Sequence, residues 1–199
     1  MSDGWNHNSH YHETLLRAVP HRCDRALDIG CGRGAFARRL SAVVARVDAL
    51  DCHAATIGHA RSESAGYSNI TFIDADFMSW PPAATYDVVS MIAALHHLPF
   101  EDALGKAASL VRPGGTLIIL GLHRQPFMFG AAHALVAFPV SWWHRFTRPT
   151  AVVGAPIREP EMTLAEIRRR GRRVVPGAVF RRHLLWRYSM VWTPVAPTL

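Results

Sequence analysis

The run Ala26-Leu27-Asp28-Ile29-Gly30-Cys31-Gly32-Arg33-Gly34 constrains this chain more than any other segment. Its apolar residues read as a strand, and three glycines at alternate positions then open a helix. A glycine-rich turn between strand and helix brings backbone N–H groups close to a ligand at the end of a parallel sheet. The spacing narrows the ligand. A dinucleotide loop has the form G-x-G-x-x-G after an uninterrupted apolar strand, because it presses amides and a helix dipole against a pyrophosphate. Here the third glycine, Gly34, comes one position early, and Asp28 stands two residues before Gly30. A carboxylate at that point repels a pyrophosphate and suits a ligand carrying an ammonium, such as a nucleotide joined to an amino acid.

Later segments follow in register. Val47-Asp48-Ala49-Leu50 reads as a second strand ending at Asp51, about where nucleotide-binding folds place an acid that accepts both ribose hydroxyls. A third strand, Ile70-Thr71-Phe72-Ile73, runs into Asp74-Ala75-Asp76-Phe77. Tyr86 to Ile92 forms a fourth, followed by Ala93-Ala94-Leu95-His96-His97-Leu98-Pro99, and Leu110 to Gly115 turns into a fifth strand, Thr116 to Leu120. From about residue 24 to residue 122 this series resembles the motifs of the class I S-adenosylmethionine-dependent methyltransferases. The resemblance implies S-adenosylmethionine as cofactor, with Asp28 facing its ammonium and Gly30, Gly32 and Gly34 as its cradle. It places Asp51 on the ribose, Asp76 on the adenine amine and Phe77 on the ring face. It also adds Met91 of the fourth strand, with Cys31 and Cys52 as small packing groups beside the cofactor rather than redox or metal groups.

The implied fold is α/β: a Rossmann-like, seven-stranded, mostly parallel sheet with helices on both faces and an antiparallel C-terminal strand pair. Strands alternating with helical segments require right-handed crossovers, and continuously apolar strands fit a sheet covered on both sides. The length of 199 residues suits one domain, residues 1–199, with an N-terminal arm (1–20) and a lid segment (124–160). Toward the C-terminus, Thr163-Leu164-Ala165-Glu166 has the form of a capping box starting a helix toward Gly171. Pro176-Gly177 reads as a turn, and 178–183 with 188–192 as the closing strand pair.

Three cysteines, Cys23, Cys31 and Cys52, form no C-x-x-C pair and no even framework, which favours a reducing, cytoplasmic setting. The start of the chain is polar, without a basic-then-apolar leader. A net charge of +7 admits a nucleic-acid-directed enzyme, with Arg168, Arg169, Arg170, Arg172 and Arg173 as a basic face. Against this, Lys106 is the only lysine, so the arginine excess reads as coding bias on a solvated face. No Asn/Asp-Pro-Pro-aromatic segment, which holds an extruded base, is present. A small-molecule substrate is therefore preferred over nucleic acid, and a non-catalytic, regulatory cofactor-binding protein stays open.

For catalysis, a hydroxyl or acidic carbon must lose a proton, and a histidine near its ordinary pKa of ~6.5 is a suited acceptor. His97 beyond the fourth strand is the first candidate, as base or as a hydrogen-bond donor orienting the substrate; His123 beyond the fifth is the second. His96 is expected to face inward or pack on a neighbour. In the arm, a helical spacing puts His7 and Tyr11 on one face, where the resemblance implies a fold over the pocket. A metal site from His7, His10 and His12 lacks partners at a known spacing, so no metal is expected. Phe127 to Val140, followed by Trp142, Trp143 and Phe146, is too short for a bilayer span. As a lid, with Phe129 and Trp143 on the substrate, it implies a lipophilic or aromatic acceptor; a homodimer contact and membrane-surface attachment are the other readings.

Overall fold

The computed structural model describes residues 9–82, 84–124, 159–184 and 186–194. His7, Phe129, Trp143 and the whole 127–146 segment lie outside the described residues, and so does most of the proposed lid. Seven strands form one sheet: β1 (Arg25–Ile29), β2 (Arg46–Asp51), β3 (Ile70–Asp74), β4 (Tyr86–Ile92), β5 (Val111–Leu122), β6 (Val179–Arg182) and β7 (Arg187–Trp192). Their spatial order is β3-β2-β1-β4-β5-β7-β6, parallel from β3 to β5, with β7 antiparallel to both β5 and β6. The order reverses direction between β1 and β4, which leaves a crevice at the carboxyl ends of those strands. The helices are α1 (Ser9–Leu16), α2 (Ala35–Leu40), α3 (Ala54–Glu63), α4 (Phe100–Ser109) and α5 (Leu164–Val174).

Alternate residues of each strand feed two cores, one per face. On one face Leu27, Ile29, Val89 and Met91 pack with Ala103, Leu104 and Ala107 of α4 and Ile167 of α5. On the other, Ala26, Val47, Ala49 and Val88 meet Leu15, Phe36, Leu40 and Ile57 of the remaining helices. The apolar positions of α4 recur at Phe100, Ala103, Leu104 and Ala107, the i, i+3, i+4, i+7 stripe that a sheet-packed helix needs. β4 is buried from Tyr86 to Met91, as a central parallel strand must be.

Acids at the amino ends of the strands are structural. Asp87 accepts the backbone N–H groups of Asp24 (2.7 Å) and Arg25 (2.9 Å) and pairs with Arg112 at 2.8 Å. Asp48 accepts from Arg25 Nη2 at 2.7 Å and from the Tyr86 hydroxyl at 2.9 Å. The fifth strand begins at Val111, earlier than the sequence suggests, because Val111 pairs with Tyr86 before a register shift reaches Val88 and Thr116. Gly115 follows from that irregularity: a Cβ there would lie 2.7 Å from the Asp87 carbonyl. Thr163 caps α5 with the expected reciprocal bonds to Glu166, Gly177 turns at φ +83°, and the closing pair β6–β7 forms. No helix among the described residues is long and apolar enough to cross a membrane.

Candidate active site

A cavity of ≈ 280 Å³ opens at the carboxyl ends of β1, β2 and β4 and beside the turn after β3. Its wall begins with the glycine loop. Gly30 and Cys31 donate their N–H groups to the Leu50 carbonyl at 2.7 and 3.0 Å, which hangs the loop on β2. Gly30 has φ +67°, and a Cβ there would lie 2.5 Å from the Ala94 Cβ, so both conformation and the facing turn demand glycine. Gly34 closes the loop at φ +77° as the residue preceding α2, against Phe72.

Asp51 lines the cavity with both carboxylate oxygens oriented by backbone: Gly32 N–H donates to Oδ2 at 2.9 Å and His53 N–H to Oδ1 at 3.0 Å. A carboxylate has about four lone-pair sites, so each oxygen keeps capacity for one more donor. That spare, aimed capacity suits a vicinal diol. Asp76 lines the same space from an Asx-type turn, accepting from Met78 N–H at 3.1 Å and the Ser79 hydroxyl at 3.2 Å. Phe77, only 3% exposed, is rooted in the core and presents its remaining surface to the cavity. Ala93, with φ +54°, and Ala94 complete the wall beneath His97. A non-glycine residue held at positive φ beside a cleft is a local strain that the surrounding fold must fix.

Of the residues expected on the cofactor, Gly30, Gly32, Asp51, Cys52, Asp76 and Phe77 come together around this cavity. Cys31, Gly34 and Met91 are not among the residues lining it. Asp28, expected to face the ammonium, does not line it either. It is 1% exposed, its Oδ1 accepts the Ser90 hydroxyl at 2.7 Å, and its Oδ2 is enclosed without a partner. Burial, opposed by the Ser90 bond and reinforced by the charge of Asp51, pushes this carboxyl up to about 7. A buried, partly neutralised carboxyl beside the loop fits a cation bound near it.

The two candidate histidines separate. His97 is exposed on the one-turn 3₁₀ helix Leu95–His97 and lines the cavity. His123 is 4% exposed and is not among the residues lining the cavity; its Nδ1 lies 3.2 Å from the Arg124 carbonyl and its Nε2 is enclosed without a partner. Tyr11 is also elsewhere: its hydroxyl donates to the Leu184 carbonyl at 3.2 Å and its ring meets His183 at 4.8 Å, while the rest of α1 packs on α2. Asp51, Cys52 and His53 offer three metal-ligand atoms within 4.8 Å of one another. The set suits a metal poorly, since burial with nearby Asp51 raises the Cys52 thiol pKa and so disfavours the thiolate a metal would need.

Lys106 is the contributor the sequence did not announce. Its Nζ donates to the carbonyls of Phe77 (2.6 Å), Met78 (3.0 Å) and Trp80 (2.7 Å), fixing the turn that carries Asp76 and Phe77. Its being the sole lysine in a chain full of arginine was the available signal: three converging carbonyls suit a compact ammonium better than a planar guanidinium.

A family profile described as a methyltransferase domain matches residues 26–115. An uncharacterized methyltransferase of Mycobacterium tuberculosis (strain ATCC 25618 / H37Rv) is 35% identical over 202 residues, covering 96% of this chain and 98% of that protein. A ubiquinone biosynthesis O-methyltransferase of Burkholderia cenocepacia is 31% identical over 155 residues, covering 72% of this chain and 66% of that one. Among solved structures, DhpI in complex with SAH superposes with a TM-score of 0.69 at 23% identity, over 96% of this chain and 85% of that chain, a likeness of fold.

Proposed function

The chain belongs to the class I S-adenosylmethionine-dependent methyltransferases, and from that premise we propose that it methylates an oxygen or carbon of a small, lipophilic or aromatic metabolite. The observation that carries the proposal is the cavity that unites Gly30, Gly32, Asp51, Asp76 and Phe77 with His97. Asp51 accepts the ribose hydroxyls with the lone pairs its two backbone donors leave. Ala75 to Phe77 hold the adenine, with Asp76 on its amine. Asp28 supplies negative charge to the ammonium from its buried position, where low polarity makes that charge count for more.

When bound, the cofactor would supply a methyl group activated by its sulfonium for transfer to the acceptor. The protein's part is to align the acceptor, exclude water and take the acceptor's proton. His97 takes that proton from a hydroxyl or acidic carbon on the cavity side. Oxygen is favoured as acceptor by the likeness to the Burkholderia cenocepacia O-methyltransferase.

The test is a panel of phenols, enols and carboxylic acids incubated with methyl-labelled cofactor, with products identified by mass spectrometry. Label is expected in one small-molecule class with the wild type, and His97→Ala is expected to reduce turnover about 10²-fold or more while leaving cofactor affinity nearly unchanged. Label recovered only in nucleic acid overturns the substrate class; equal turnover in His97→Ala removes its role as base.

A further inference from the structure

A second cavity, of ≈ 340 Å³, lies beside the first. Leu98 lines both. The turn Leu95–His97 divides them: with about three residues per turn, neighbouring side chains of a 3₁₀ helix leave its axis in different directions. His97 borders the first cavity and His96 the second, while their rings remain 4.0 Å apart between centroids.

Leu95, Phe100, Leu122, Met162 and Ile167 supply the apolar part of the second wall, and polar groups make up about half of it. Its charged groups are largely spoken for. Arg170 forks onto the carboxylate of Glu101. The amino end of α4 carries Glu101 and Asp102, and that of α5 is closed by the Thr163–Glu166 capping box, so neither helix end offers an unanswered positive pole. Glu161 stands exposed at the rim and disfavours an anion. His96 is different. Its Nδ1 is enclosed without a hydrogen-bond partner, and burial together with the charge of His97 pushes the imidazole down to about 4. It is therefore neutral at physiological pH, with one ring nitrogen a donor and the other an acceptor. A neutral imidazole beside these apolar side chains matches an uncharged oxygen substituent better than a carboxylate or an ammonium.

We propose that this second cavity holds the body of the methyl acceptor, an uncharged ring system bearing an oxygen substituent hydrogen-bonded to His96, with the reacting atom directed past Leu98 toward His97. The proposal rests on the methyltransferase reading of the first cavity. It makes His96 a substrate-binding residue that sets acceptor choice, and His97 the residue at the chemistry.

The test uses two probes of one shape, 2-naphthol and 2-methylnaphthalene, titrated by fluorescence into the full chain with S-adenosylhomocysteine (SAH) present. Calorimetry measures SAH affinity in every variant. The wild type is expected to bind the naphthol at least tenfold more tightly than the hydrocarbon. His96→Leu should abolish that preference while keeping hydrocarbon binding, His96→Asn should restore part of it, and Met162→Trp should weaken both probes by filling the space. SAH affinity should stay within twofold throughout. Failure of the wild type to bind either probe, a preference that survives His96→Leu, or unchanged binding in Met162→Trp overturns the proposal. Failure of SAH to bind any form instead overturns the methyltransferase reading, and the cavity's acceptor role with it.

Discussion

Asp28→Asn separates what the fold prefers from what the cofactor needs. The carboxyl moves from 3.8 to about 7 because burial removes it from water, an effect the Ser90 hydroxyl only partly offsets. At about 1.36 kcal/mol per pKa unit, ionised Asp28 costs the cofactor-free fold on the order of 4 kcal/mol. The folded carboxyl is the weaker acid, so the stability it confers when neutral is fully present below 3.8 and is lost as the pH rises through about 7. Asparagine keeps an acceptor for Ser90 and cannot ionise. The variant should match the wild type in urea unfolding near pH 4 and exceed it at pH 8, the gap widening by about 2–3 kcal/mol between pH 5 and pH 8. The same variant should bind SAH more weakly at pH 8, where the ammonium has lost its counter-charge. A stability difference that is equal at pH 5 and pH 8 would refute the reasoning, since Asp28 would then ionise as an exposed acid does.

Gly30→Ala combines a side chain at φ +67° with a 2.5 Å approach to the Ala94 Cβ, and should cost about 1–3 kcal/mol in denaturant unfolding. Adding Ala94→Gly should recover only the steric part; full recovery would show that the backbone conformation carries no cost. Lys106→Met deprives three carbonyls of their donor and should lower stability by about 2 kcal/mol while weakening SAH binding through the displaced 77–80 turn. Unchanged SAH affinity in a folded Lys106→Met would detach that turn from the site.

The sheet was legible because its strands are short, apolar and punctuated by acids and glycines at the ends where a ligand binds. The Thr163 capping box and the closing hairpin were legible because their signals are local. The burial of Asp28 was available in the two-residue period of β1: Leu27 and Ile29 face the α4 core, so Asp28 shares its side with Ala26 and α2. Tyr11 was misplaced for a different reason. Its hydroxyl bonds to the carbonyl of Leu184, 173 positions away, and no local pattern specifies such a contact. The same limit hid the reach of Lys106 across to residues 77–80. His96 was expected to turn inward or pack on a neighbour, and it is half-buried with its ring against His97.

The most direct test of the cofactor site is calorimetric titration of SAH into the wild type and Asp51→Ala. The arrangement of Gly32, His53 and Asp51 predicts saturable one-to-one binding by the wild type, weakened in the variant by roughly 1.5–3 kcal/mol as the ribose hydroxyls lose a charged acceptor. No binding by the wild type, or the same affinity in a folded Asp51→Ala, would contradict it.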